Sequence, residues 1–269
     1  TGSGKTTSLY SALDLLRGPQ VNIVTVEDPV EYQVDLINQI QVNDNVGLGF
    51  ARALRSILRQ DPDVIMIGEI RDEDTAHVAV QASLTGHMVL ATLHTNDSAS
   101  TVARLRDMGV QPYLLSGALT CVLAQRLART NCPLCETSYN PDADLLAIAG
   151  IPGHVGKPMR RGEGCEACHD SGFRGRIGVY EVLDVNGRIR RMIHTDATSS
   201  TLRGAQQEAG SRLLREQAVG HAIAGKISLE EALRITRLED FSEAADDQPQ
   251  PLQRANTTSA RSEEPREAA

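Results

Sequence analysis

With 269 residues and 41% hydrophobic content, the chain can fill one large domain or two moderate ones; 3% aromatics and no Trp make its core aliphatic. A net charge of −8 argues against broad nucleic-acid binding, which takes a basic surface to replace phosphate counterions. No apolar run approaches the roughly 20 residues that span a bilayer, so any membrane association goes through a partner or through residues outside this sequence.

The chain opens on Thr1-Gly2-Ser3-Gly4-Lys5-Thr6-Thr7. Gly4-Lys5-Thr6 supplies the last three positions of the phosphate-binding pattern G-x-x-x-x-G-K-[ST]. Glycines let successive N–H groups curl round phosphate oxygens, and the helix that follows aims its positive end at the same charge. Lys5 is expected to reach the β- and γ-phosphates of ATP and the Thr6 hydroxyl to ligate Mg²⁺. The pattern's first glycine falls before residue 1 and no initiator Met is present, so the sequence reads as a piece of a longer protein. Alone, it is expected to bind ATP poorly and hydrolyse little. The bland alternative for such a glycine-rich stretch is an ordinary tight turn.

Along the chain, residues 6–16 read as the helix after the loop, stopped by Gly18-Pro19. Residues 21–26 form a β-branched strand ending at Glu27-Asp28-Pro29-Val30-Glu31. Residues 50–60 form a helix broken by Asp61-Pro62, and Val64-Ile65-Met66-Ile67 is a continuous apolar strand closed by Gly68-Glu69. Residues 72–85 are helical, 88–92 a short strand delivering Leu93-His94-Thr95-Asn96-Asp97, and 98–107 and 113–128 helices. This alternation predicts an α/β fold with a mainly parallel sheet covered by helices.

After Thr130 the composition turns rich in Cys, Gly and Pro, with a helix possible over 142–149. A strand is expected at 176–184 and helices near 188–194, 201–209 and 212–223. Ser228 with Glu231 predicts a capping box opening a last helix that ends near residue 238. Residues 242–269 have little to bury and read as a disordered tail. The division expected is a core over 1–130, a cysteine insert over 131–175, a strand and helical subdomain over 176–240 and a tail over 241–269.

Three groups of chemistry-bearing residues sit where strands end, the place open α/β sheets put their ligands. Glu27, Asp28 and Glu31 are crowded carboxylates that repel one another unless a cation, basic group or water shares the site. Glu31 is favoured as the base that orients and deprotonates an attacking water, with Glu27 the alternative; geometry decides between them. Glu69 is expected to hold Mg²⁺ directly or through a water. His87 and His94 bracket one short strand and are candidates for sensing the γ-phosphate. A lone carboxylate or histidine in any of these places is more often plain surface or satisfied core.

Of the five cysteines, Cys132-Pro133-Leu134-Cys135 and Cys165-Glu166-Ala167-Cys168 form two C-x-x-C pairs with 29 residues between them. This suits a closed, structural, four-thiolate Zn²⁺ site; redox activity is the rival reading. His169 is a spare ligand, and Arg129, Arg160, Arg161 and Arg174 are read as offsetting the site's negative charge. Cys121 is assigned to a helical core position. Paired thiols beside ATP chemistry point to the cytosol.

In this order the motifs resemble those of the secretion ATPases, the motors of type II secretion and type IV pilus assembly. Residues 27–31 look like the family's Asp box, 58–72 like its Walker B region, and 85–97 like its His box. The likeness runs from Thr1 to about Leu238. It implies a RecA-like motor domain, Mg²⁺-dependent ATP hydrolysis, and a homo-hexameric ring docked on inner-membrane platform proteins from the cytoplasmic side, with no membrane span of its own and no nucleic-acid partner. Arg71 and Arg104 become electrostatic contributors within the ring. A tetracysteine insert is common in the secretion and pilus-assembly branches and typically missing from pilus-retraction motors. Residues 79–86, 110–116 and 178–183 lean towards the type II secretion branch, with pilus assembly as the alternative. Rivals of other classes are a RecA-like nucleic-acid motor and a catalytically idle zinc-stapled scaffold.

Overall fold

The computed structural model describes residues 2–236. The chain enters through helix α1 (Lys5–Leu16) and builds a four-stranded, all-parallel sheet from β1 (Ile23–Glu27), β2 (Ile37–Gln41), β3 (Val64–Ile67) and β4 (Met88–Ala91). The spatial order is β2-β1-β3-β4, with Ile23 opposite both Ile37 and Val64, and Val64 opposite Met88. Every residue of β1 and β3 is buried, as continuous β-branched and aliphatic runs require at the centre of a sheet covered on both faces. Helices α2 (Phe50–Ile57), α3 (Glu73–Leu84) and α4 (Ser98–Asp107) connect and cover the strands. Asp72 caps α3 by accepting from the Thr75 N–H, and Asp97 caps α4 in a reciprocal box with Ser100.

The expected helix over 113–128 is replaced by two elements. Helix α5 (Pro112–Ala118) stops early, and β5 (Cys121–Asn131) follows as a strand. Leu, Ala, Gln and Arg are good helix formers, but Val122 and Ala124 point inwards while Cys121 and Leu123 point out, and a long partner settles the matter. That partner is β8 (Phe173–Asp184), antiparallel to β5 from Cys121–Asp184 to Asn131–Phe173. Cys121 is therefore exposed on a strand, not buried in a helix. Between the two long strands the chain loops out through β6 (Glu136–Tyr139), α6 (Ala143–Ile148) and β7 (Met159–Gly162), with β6 and β7 paired antiparallel.

Helices α7 (Gly187–His194), α8 (Ser199–Glu208), α9 (Leu214–Ile223) and α10 (Leu229–Ile235) close the described chain. One apolar cluster joins the sheet to α2, α3, α4 and α7 through Leu54, Ile65, Val102 and Ile189; a second packs β5 and β8 against α6, α9 and α10 through Ala128, Leu146, Val179 and Ala218. The disordered-tail expectation lies outside the described residues. No helix among the described residues is long and apolar enough to cross a membrane.

At α10 the capping box is only half formed. The Ser228 hydroxyl accepts from the Glu231 N–H at 3.1 Å, but the Glu231 carboxylate turns instead to Arg129, 2.7 Å away, and Arg234, 2.6 Å away. Glu231 is 1% exposed and also takes the Arg129 N–H. Burial alone would raise its pKa, but the Arg234 and Arg129 guanidinium groups outweigh it and hold the carboxyl down at about 2. A folded-state pKa below the unfolded value gives stability that is complete above about pH 4.5 and is lost as pH falls towards 2. With both guanidinium groups about half exposed, the contribution is on the order of 2 kcal/mol. We expect Glu231→Gln to lower the melting temperature at pH 7 and the gap from wild type to close between pH 4.5 and 2.5; an equal gap at both ends would remove the assignment.

Candidate functional site

At the carboxyl ends of the parallel strands lies a cavity of about 510 Å³. Residues 2–7 form its first wall. Gly4 is the N-cap of α1 at φ 85°, a left-handed conformation that costs other residues, and a Cβ there would lie 2.8 Å from Gln125 Nε2. The first N–H to find a helical carbonyl is that of Ser8, on Gly4 O at 3.1 Å, and no acidic side chain occupies the first turn. Among the described residues the N–H groups of Lys5, Thr6 and Thr7 have no partner and are left for an anion. Thr6 and Thr7 are exposed on this wall; Thr1 lies outside the described residues.

The second wall is Glu27, Asp28 and Glu31. Glu27 is 3% exposed and takes three donors: the Tyr10 hydroxyl, Thr25 Oγ1 at 2.5 Å and Gln39 Nε2 at 3.1 Å. Burial, together with the Glu27 acceptor, pushes the Tyr10 phenol up to about 12. Glu31, by contrast, is exposed. The turn that carries it is held against α1 by the Tyr10 and Tyr32 rings, whose centroids are 4.4 Å apart.

Glu69, Arg71 and His94 make the third wall. Both Glu69 oxygens are engaged, one by His94 Nε2 at 2.5 Å and the other by Arg71 Nε at 2.6 Å; Arg71 also reaches Asp28 at 3.4 Å. Lys5 Nζ donates to Leu93 O at 3.1 Å and lies 3.5 Å from His94 Nδ1. With Nε2–H assigned as donor to Glu69, Nδ1 is free to accept from Lys5. Partial burial lowers the Lys5 pKa, opposed by Glu69 and aided by Arg126.

Lys5, Glu31, Glu69 and His94 therefore meet in one cavity. His87 does not join them. It sits before β4, at the opposite end from His94, where Nδ1 donates to Ala82 O at 2.9 Å. Arg104 is exposed on α4 and does not border the cavity. Sequence reasoning missed Arg176, which reaches the cavity from β8 and has no motif to announce it. It also missed Tyr10, Thr25 and Gln39 around Glu27; only the burial of a carboxylate at the end of an apolar strand hints that such donors are needed.

A second site gathers Cys132, Cys135, Cys165 and Cys168, whose sulfurs all lie within 4.8 Å of one another. The Cys132–Cys165, Cys135–Cys168 and Cys165–Cys168 separations are 4.0, 3.8 and 3.7 Å. Sulfurs placed tetrahedrally about 2.3 Å from one zinc ion stand about 3.8 Å apart, so the donor set fits that ion. The Gly164 N–H points at Cys135 Sγ, and those of Cys165 and Gly172 at Cys168 Sγ, at 3.2–3.3 Å. Burial raises the Cys168 thiol, but the Cys165 and Gly172 N–H groups and neighbouring thiols prevail and draw it down to about 6. Gly162 and Gly172 touch backbone to backbone beside the cluster; a Cβ on Gly162 would lie 2.0 Å from Gly172 O. His169 is not part of the cluster. Arg129, Arg160 and Arg161 are occupied elsewhere, by Glu231, Glu136 and the Tyr139 ring.

A family model described as "Type II/IV secretion system protein" matches residues 1–234. The chain belongs to this secretion-system family. Among relatives, it is 50% identical over 237 residues to the type II secretion system protein HxcR of Pseudomonas aeruginosa, covering 88% of this chain and 47% of that protein. It is 46% identical to the type II secretion system ATPase E of Vibrio cholerae, again covering 88% and 47%, and 47% identical to the type IV pilus assembly ATPase PilB of Myxococcus xanthus, covering 90% and 43%. The chain spans about half the length of these relatives. Among solved structures of similar fold, the pilus retraction motor PilT with bound ADP superposes with a TM-score of 0.65 at 28% identity, over 90% of this chain and 61% of that one. Secretion and pilus branches of the family thus stand at similar distances from this chain.

Proposed function

We propose that this chain is the motor portion of an Mg²⁺-dependent ATPase that powers type II protein secretion. The observation that carries the reading is that Lys5, Glu31 and Glu69 border one cavity at the end of a parallel sheet, beside a helix N-terminus whose first N–H groups have no partner among the described residues. The N–H groups of residues 2–7 hold the phosphates of ATP, and Lys5 turns its remaining N–H donors to β- and γ-phosphate oxygens. Glu31 accepts the proton of a water aligned for in-line attack on the γ-phosphate; Glu27, committed to three donors, keeps the floor of the site in shape. Thr6 would hold Mg²⁺ directly and Glu69, whose oxygens are engaged by His94 and Arg71, through a water; the ion when bound supplies charge neutralisation on the phosphates. His94, between Lys5 and Glu69, registers whether the γ-phosphate is present. The four cysteines would hold a structural Zn²⁺, since four thiolates leave no coordination position open.

In this reading residues 1–130 are the motor core, 131–175 the zinc-binding insert and 176–240 the subdomain that moves with it. The working unit is a homo-hexamer engaged from the cytoplasm with inner-membrane secretion proteins, driving assembly of a pseudopilus. Type IV pilus assembly is the second reading, favoured by the 47% identity to the Myxococcus ATPase. The intact protein is expected to release phosphate from Mg-ATP; no release above buffer would refute the motor reading. Loss of secreted enzymes on gene deletion, with pili retained, decides for secretion, and the converse decides for pili.

A further inference from the structure

The turn at residues 93–97, which carries His94, is fastened from outside the parallel sheet. The Arg126 guanidinium on β5 donates to Asn96 O at 3.0 Å. Arg203 on α8 pairs with the Asp97 carboxylate at 2.7 Å, both side chains being largely covered. The other Asp97 oxygen caps α4 through the Ser100 N–H at 2.7 Å. One residue on, the Ser98 N–H and hydroxyl both donate to Glu181 Oε1, and the second Glu181 oxygen takes the Leu214 N–H at 2.9 Å. Glu181 is 2% exposed. A single buried carboxylate therefore serves the first N–H of two helices, α4 and α9, which is where negative charge stabilises a helix.

At its other end the same turn presents Leu93 O, the carbonyl that holds Lys5. The Lys5 ammonium has three N–H donors, so an anion in the phosphate loop draws on the same charged group that Leu93 O holds, and occupancy of the loop changes the load on the turn. Coupling of this kind needs an element that both sites can bias, and the turn touches Lys5 at one end and, through Ser98 and Glu181, the start of α9 at the other.

We propose that Arg203 and Glu181 are positioning residues of the nucleotide site, acting through the turn at 93–97: they hold His94 on Glu69 and pass the state of Lys5 to the start of α9. This rests on the reading of the cavity as an ATP site. In the intact protein, Arg203→Ala lowers kcat for ATP about 10-fold with KM within about 2-fold, since Arg203 touches no nucleotide-binding group. Arg203→Lys, which can restore a single charged hydrogen bond, recovers most of the loss. Added to His94→Ala, Arg203→Ala costs less than about 2-fold more, because both act on one contact. Asp97→Asn keeps the cap and removes the charge, and reproduces the Arg203→Ala kinetics if that variant folds poorly. In wild type, Mg-ADP changes hydrogen exchange at the Ser98 and Leu214 amides; in Arg203→Ala the Leu214 response is lost. Wild-type kcat in both Arg203→Ala and Asp97→Asn, or full additivity with His94→Ala, overturns the proposal. A wild-type protein that releases no phosphate removes the ATP reading instead, and the Leu214 exchange response to Mg-ADP then decides the coupling by itself.

Discussion

Exchanging Glu31 for Gln is expected to lower the turnover of Mg-ATP by about 100-fold or more while leaving nucleotide affinity within about 2-fold. The amide keeps the size and exposure of the side chain but cannot accept the proton of the attacking water. Its position supports the choice: Glu31 stands exposed on the cavity wall, on a turn steadied by the Tyr10–Tyr32 stack. Glu27→Gln is the matched control. There the amide NH₂ would be forced against a site built to donate, from Tyr10, Thr25 and Gln39, and the expected loss is about 1–3 kcal/mol of stability. Purified variants compared by turnover, nucleotide titration and thermal melting separate the two roles. A folded Glu27→Gln protein without turnover, beside an active Glu31→Gln protein, would transfer the base to Glu27.

One zinc ion per chain is expected in the purified protein, and removing it is expected to lower the melting temperature by about 10 °C or more. Structural zinc sites contribute several kcal/mol to folding, and in a domain of this size each kcal/mol moves the transition by about 2–4 °C. Without a cation, four sulfurs with separations such as 3.7–4.0 Å crowd their developing charge, and the Gly164, Cys165 and Gly172 N–H groups lose the thiolates they point at. Metal analysis by mass spectrometry, with melting curves of wild type and Cys168→Ser, tests this. A protein that purifies metal-free, or a Cys168→Ser variant that melts at the wild-type temperature, would exclude a structural zinc. Rapid oxidation to disulfides at neutral pH, with no metal bound, would favour the redox alternative.

The parts of the molecule legible in advance are those where a single physical demand dominates. The all-buried strands β1 and β3 show as unbroken apolar runs because both faces meet helices. The cysteine cluster shows because two tight knuckles are a chemical pattern rather than a statistical one. The strand β5 stayed hidden because its residues favour a helix locally and only β8, more than 40 residues on, makes it a strand. The edge strand β2 carries Asn38, Gln39 and Gln41, which mask its alternation. In the site, Lys5, Glu31 and Glu69 come from motifs, whereas Arg176 and the Arg203–Asp97 pair depend on tertiary approach and leave no local trace. His87 and His94 are paired in the sequence reading because they bracket one short strand, but bracketing a strand puts two residues at opposite ends of the sheet, so only His94 stands with Lys5.

The long β5–β8 ladder has a consequence for how this protein tolerates change. Its last rung pairs Asn131 with Phe173, so the chain leaves for the cysteine lobe and returns from it at adjacent points. A segment whose two feet stand side by side can grow or shrink without shifting the register beneath it. Length variation, in nature or by engineering, is accordingly best accommodated within that lobe, between the knuckles and clear of the paired rungs.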